Sequence, residues 1–270
     1  EVFGDGTTSI LNAEAVRQET GSSDFVGGVL VRQAGIIHPL NYVRGLARAV
    51  RARGGRIFER SMMIAREKTP NGVRVITQQG SVAARHLVIG TNGYSSLSDG
   101  VKTPLRRTIV PFRSAMIATA PLDDEIFRNL MPHNRSYSET RRMMRWFRRV
   151  DDRMLFGGRG AFGREDSQSA YLALEKAMKH LFPQLSTVPI THRWSGLVAM
   201  TMNSLPQVGS LDKHTHFALG YNGAGVAMSS LMGRYVIDLV TGAHPDLALI
   251  GPTRPRTVPF YFLREPAVRL

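Results

Sequence analysis

Residues 215–239, THFALGYNGAGVAMSSLMGRYVIDL, read as a short strand, a glycine-rich turn and a helix. No other stretch constrains the chain as strongly. Gly220, Gly223 and Gly225 let main chain approach a flat or anionic ligand, since glycine has no Cβ and tolerates left-handed backbone. The helix that follows points its unpaired first-turn N–H groups at the same place. Such a unit suits a nucleotide-type cofactor. The opening fingerprint GxGxxG, with an acidic residue about 20 positions on, is not found in these 270 residues. The sequence holds the closing half of a cofactor site and lacks the opening half.

A chain of 270 residues with 43% hydrophobic content can build one large domain or two interleaved ones. No apolar run approaches the roughly 20 residues that span a bilayer, and no secretory signal is visible after Glu1. With no cysteine, disulfides and thiolate metal sites are excluded within this stretch, and a cytoplasmic setting is expected. No metal site is expected either.

The formal charge is +14, and only five residues of that basic set are lysines. Arg141, Arg142, Arg145, Arg148, Arg149 and Arg153 form the densest cluster, with Trp146 and Phe147 between them. Such a run could grip phosphates. No nucleic-acid motif accompanies it, so an ion-paired or solvated strand is expected, with no nucleic-acid partner.

Along the chain, residues 1–26 read as a polar, mildly helical lead-in. Gly27–Val31 and Gly35–Ile37 are short apolar stretches. Pro39 suits a first helical turn, Val43, Leu46 and Val50 follow at helical spacing, and Gly54-Gly55 stops the helix. Arg56–Glu59, an alternating segment through Val73, Val75 and Thr77, and His86–Ile89 follow as strands. From about residue 99 to 189 the pattern becomes antiparallel, with a β-rich run at 108–120 broken by Pro111. One helix stands out there, with Tyr171, Leu174, Met178 and Leu181 on one face. Ala227, Leu231, Tyr235 and Leu239 form the apolar stripe expected to be buried in the last helix. The fold class expected is α/β, of an incomplete three-layer type, with an antiparallel α+β domain inserted. The boundaries expected are 27–98 with 190–251, then 99–189, with 252–270 as an extended tail.

Six segments in the same order resemble the D-amino-acid-oxidase-like family of FAD-dependent oxidoreductases. They are Gly35–Leu40 with Tyr42 and Gly45–Ala47; Gly55–Glu59 with Met63; Val88–Tyr94; Leu155–Arg159; Trp194, Gly196, Ala199 and Thr201 with Pro206 and Gly209; and Gly220–Val226. Within the family the likeness is greatest to bacterial amine oxidases. The resemblance implies FAD as cofactor, a small-molecule amine as substrate, and oxygen or another electron acceptor. It makes 27–98 and 190–251 the FAD domain and 99–189 the substrate domain. The cofactor-binding residues it implies are Met63, Thr91, Asn92, Gly93, Gly220, Tyr221, Asn222, Gly223, Ala224, Gly225 and Val226.

Two departures accompany the likeness. The N-terminal βαβ unit that holds the pyrophosphate is absent, so an upstream segment or a partner chain is expected to complete the site. Where relatives that oxidise simple amino acids often carry a carboxylate-gripping arginine, this chain reads Gly196-Leu197-Val198-Ala199. An amine or an N-substituted, longer compound is therefore the expected substrate. The acidic residue before the Leu-Pro turn is replaced by Asn203. His38 is a candidate base or a satisfied histidine at a helix start. Arg159 either orients substrate or pairs locally, and Trp194 either walls the active site or packs.

Overall fold

The computed structural model describes residues 6–95, 103–141, 144–159, 166–243, 246–247, 250 and 254–264, with Arg159 described through its main chain alone. In chain order the first elements are β1 (Thr8–Asn12), α1 (Ala13–Thr20), β2 (Gly27–Val31), α2 (Pro39–Ala52), β3 (Met63–Thr69), β4 (Gly72–Thr77), β5 (Gly80–Ala84) and β6 (Leu87–Ile89). Then come β7 (Val110–Thr119), α3 (Asp124–Asn129), β8 (Ser136–Ser138), β9 (Arg145–Val150), β10 (Arg153–Arg159) and α4 (Gln168–Leu181). The last are β11 (Ile190–Met200), β12 (Gln207–Asp212), β13 (Thr215–Leu219) and α5 (Gly225–Thr241). They fall into two compact units, one of residues 1–38 and 113–196, the other of 39–112 and 197–270. The boundaries expected from sequence lie near 26, 98, 189 and 251.

In the first unit, α1 is closed at both ends by its own sequence. The Asn12 side chain accepts from Ala15 N at 2.9 Å, and Gly21 ends the helix at φ 76°. β1 and β2 pair antiparallel on either side of it, a strand pair of which the polar first residues gave only the helix. A five-stranded sheet, ordered β11-β7-β10-β9-β8, supplies one wall of the core. Pro111 does not break β7, because the ladder with β10 starts only at Ser114. α4 buries Tyr171, Leu174, Met178 and Leu181, the face its periodicity indicates. Phe147, Phe156 and Phe182 are buried together, and the Phe147 ring meets Phe182 edge-on at 5.0 Å.

The arginines of the basic run are engaged within this unit. Arg141 and Arg145 reach the buried Glu139 carboxylate at 3.2 and 3.5 Å. Arg149 bonds Asp124 at 2.8 Å and lies 4.1 Å over the Phe127 ring. Arg148 and Arg153 donate to the carbonyls of Ile37 and Thr119. Arg142 lies outside the described residues.

The second unit holds a three-stranded sheet, ordered β12-β13-β6, and a separate antiparallel meander, β3-β4-β5. β6 runs parallel to β13, and β12 antiparallel to it. One face of the sheet packs Ile89, Phe217 and Leu219 with Leu105, Ile109 and Ala199; the other packs Val208 and Ala218 against α5. α5 buries Met232 and Val236, with Met228 and Leu239 partly covered, while Leu231 stays exposed. Of the expected stripe, Tyr235 and Leu239 pack against this core, whereas Ala227 and Leu231 are exposed and Met228 and Met232 take their places. One residue turns a helix by about 100°, enough to move the N-terminal half of the stripe towards its edge.

Two other expectations fail in this unit. Residues 56–59 form no strand, and Ile57 and Phe58 are exposed. A β-segment needs a neighbour to bond its backbone, and among the described residues none pairs with it. α2 forms as expected and ends at Gly54 (φ 80°), yet it buries no residue. Leu40, Val43, Leu46 and Val50 are each about half exposed on one face. In the first unit, the apolar stretch Gly35–Ile37 forms no strand.

Candidate cofactor site

β6 and β13 run in the same direction, so their C-terminal ends open into turns side by side. This is where parallel sheets usually hold ligands. β6 leads through Gly90 and Thr91 into a 3₁₀ turn at Asn92–Tyr94; β13 leads through Gly220–Ala224 into α5. The two turns are tied: Gly220 N donates to Asn92 Oδ1 at 2.9 Å.

Each turn is then fastened separately. Thr91 and Ser95 share a hydroxyl–hydroxyl bond of 2.7 Å, and the Ser95 hydroxyl donates to Asn92 O at 2.8 Å. Asn92 holds φ 44°, a region asparagine enters more readily than most residues. Gly93 is buried against Leu197, where an added Cβ would lie 2.8 Å from the Leu197 carbonyl oxygen. In the second turn Asn222 is at φ 53° and spends its side chain internally. Its Oδ1 accepts from Thr201 N at 2.8 Å, and its Nδ2 donates to Gly220 O at 2.6 Å. Asn222 N donates to Ala199 O at 3.1 Å.

What remains outward-facing is main chain. Gly223 is exposed at φ 100°, with nothing within 4 Å of where a Cβ would stand. α5 is preceded by Ala224, whose side chain cannot cap it, so its first-turn N–H groups lack a side-chain acceptor. Ala224 and Val226 are exposed beside Gly223. This leaves main chain open at Gly223 beside a helix start that no side chain caps. Such main-chain donors are of the chemistry that an electron-rich ring edge accepts from. The local support for Thr91, Asn92 and Asn222 identifies them as residues that shape the turns. Tyr221 is buried against Met232 and Val236, and burial pushes its phenol pKa up. Met63, at the head of β3, packs beside Ile89 and Phe217.

Thus the eleven expected cofactor residues all belong to the second unit, ten of them in the two turns and Met63 on the sheet face beneath. The catalytic candidates belong to the first unit. His38 is exposed immediately before α2. Trp194 is 41% exposed on β11, and Arg159 pairs with Ser114 at the end of β10. The supporting roles of Thr201, Ala199 and Ser95 went unassigned in the sequence reading. Thr201 and Ala199 stood within a recognised motif, while Ser95 had no signal of its own. Asn203, which replaces the acidic residue, accepts from Leu205 N at 3.3 Å and shapes a turn.

The sequence matches the family described as DAO, FAD dependent oxidoreductase, over residues 2–239. The chain belongs to this family. It is 32% identical over 243 residues to gamma-glutamylputrescine oxidoreductase of Escherichia coli, covering 90% of this chain and 56% of that protein. It is 31% identical over 249 residues to the probable oxidoreductase OrdL of Haemophilus influenzae, covering 92% of this chain and 57% of that protein. The chain therefore spans somewhat more than half the length of these relatives. Among solved structures, glycine oxidase from Geobacillus kaustophilus superposes with a TM-score of 0.77 at 20% identity, over 94% of this chain and 68% of that one. That likeness establishes the fold. Among the described residues no helix is long and apolar enough to cross a membrane.

Proposed function

We propose that this chain carries the flavin-facing half of an FAD site, and that the complete enzyme oxidises a C–N bond of an amine or N-substituted amino compound. The bond from Gly220 N to Asn92 Oδ1 carries the reading, since it holds two ligand-facing turns together beside an uncapped helix start. FAD, when bound, supplies a two-electron acceptor for hydride from the carbon bearing nitrogen. The chain's own part is to present main-chain N–H groups of Gly223, Gly225 and Val226 to the negative charge that gathers on a reduced ring, the Ala224 N–H being donated to Tyr221 O at 2.9 Å. Met63 lines the nucleotide end through its main chain. The substrate product, an imine, hydrolyses in water, and oxygen or another acceptor closes the cycle.

Two observations favour an amine over a small amino acid. The segment after Trp194 has no arginine to clamp a carboxylate, and a relative at 32% identity is named for a glutamylated polyamine. Residues 99–189 are read as the part that covers substrate, in a cytoplasmic setting. We read the site as completed by polypeptide outside these 270 residues, on the same chain upstream or on a partner. The bare apolar face of α2 and the unpaired segment 56–59 support this, as does the share of the relatives spanned.

Turnover by the chain extended upstream of Glu1 tests the proposal. Gamma-glutamylated polyamines, sarcosine and alanine are offered in turn while imine-derived aldehyde or keto acid and acceptor consumption are followed. The polyamine derivatives are expected to turn over fastest. Preference for sarcosine or alanine would contradict the substrate assignment.

A further inference from the structure

At the opposite end of the parallel pair from the turns, three imidazoles meet. His216, on β13, is 4% exposed. Its Nδ1 lies 2.8 Å from Ser210 Oγ on β12, and its Nε2 lies 3.2 Å from Nδ1 of His86, the residue before β6. The His214 ring stands 5.7 Å from the His86 ring and bonds the Arg85 carbonyl through Nδ1 at 2.9 Å. Leu87 N donates to His214 O at 2.8 Å, closing the same junction through main chain. No group of three or more His, Asp or Glu side chains among the described residues is arranged to hold a metal ion. The ligand these rings share is a proton.

An N–H···N bond between two imidazoles needs one proton on the bridge. With both rings protonated, neither offers a lone pair to the other, and two cations face each other across 3.2 Å. The surroundings sharpen this response. Burial, then the charge on His86, lowers the His216 pKa, and His214 adds to that; Asp212 acts the other way. Asp212 is itself occupied by Arg66 and Lys68 from β3 at 3.3 and 3.5 Å. α5 packs over β12 and β13, and its charged side chains are Arg234 and Asp238.

We propose that the His86–His216 pair is a proton-operated latch between β6 and β13: one shared proton holds the two strands together, and a second releases them. Release has a consequence at the far end. β6 leads into the turn of Asn92 and β13 into that of Gly220, so strands that part lose the bond between the two turns. Acid therefore loosens the cradle, a consequence that rests on the cofactor reading above; the latch itself does not.

The test uses the 270-residue chain without added cofactor, so that it stands apart from the cofactor reading. A group whose folded pKa lies below its unfolded value stabilises above the unfolded value, near 6.5, and loses that contribution as pH falls through the folded one. The unfolding constant of the wild type, from urea curves, should rise as pH falls below about 6.5, approaching at most about tenfold per pH unit, the slope of one proton taken up. H216Q should flatten that slope. H86Q should lessen it without abolishing it, because burial still disfavours a charged His216 while the second cation is gone; a slope unchanged in H86Q reduces His216 to a simple buried histidine and overturns the latch. Should either variant fail to fold, imidazole NMR of the wild type decides. Two titration steps for the pair, separated by more than one unit, are expected, and independent steps near 6.5 overturn it. Flavin release in acid by the extended chain, measured separately, speaks to the consequence alone.

Discussion

Gly220 and Asn92, 128 residues apart in sequence, meet through one hydrogen bond of 2.9 Å from the glycine amide to the asparagine Oδ1. Neither residue is reacting machinery; together they set the distance between the two loops of the candidate site. N92L leaves a part-buried amide without its acceptor, at a cost of about 1–3 kcal/mol. N92D keeps an acceptor oxygen and should recover most of that loss. Urea unfolding of the three proteins at pH 7 measures it, and equal midpoints for N92L and wild type would mean the tie contributes nothing.

The two turn glycines should respond differently to a methyl group. At Gly220 an added Cβ lands 2.3 Å from Thr201 Cγ2, on a backbone at φ 78°. At Gly223 the backbone is at φ 100° but the space is empty. G223A should cost about 1–2 kcal/mol from conformational strain alone. G220A adds overpacking, about 1–3 kcal/mol more. Calorimetric melting temperatures give the order, and a G220A no worse than G223A would show that Thr201 yields freely.

α2 offers a test of what lies beyond these residues. Val43 and Leu46 are half exposed on its bare face, so V43S and L46S should shift the stability of the 270-residue chain by less than about 0.5 kcal/mol each. In the chain extended upstream of Glu1 the same changes should destabilise clearly and weaken flavin retention. Equal, small effects in both lengths would mean that nothing covers this helix.

Acid stability has a separate contributor in the first unit. Lys179, the largest influence, and Arg193 hold the Glu175 carboxyl below its ordinary value of 4.5 against the opposing effect of burial. A depressed carboxyl pKa stabilises above the unfolded value and loses that contribution as pH falls through the folded one. The advantage of wild type over E175Q should therefore be full above pH 5 and shrink steadily below about 4.5. Urea midpoints within pH 6–3 check this; a gap that stays constant would remove the carboxylate from the account.

The glycine turn, α4 and the start and stop of α2 were legible because each depends on local spacing and caps. The α4 face followed from its periodicity, and Gly54 from its place after the last apolar residue. Other features depend on partners remote in sequence. Residues 56–59 have the composition of a strand, but backbone pairing decides, and no strand among the described residues pairs with them. The face α5 buries is set by where β12 and β13 meet it, which keeps Tyr235 and Leu239 packed but covers Met232 in place of Leu231. The role of Asn92 as an acceptor for Gly220, like the meeting of His86 with His216, joins residues well over a hundred positions apart. No local pattern encodes such a contact.

The central claim, that main chain at the start of α5 faces the flavin, is tested most directly by amide NMR of the upstream-extended chain titrated with FAD. The amides of Gly223, Ala224, Gly225 and Val226 should shift strongly, with those of β4 nearly still. Saturating FAD that leaves these four amides unmoved, while others respond, would contradict the account.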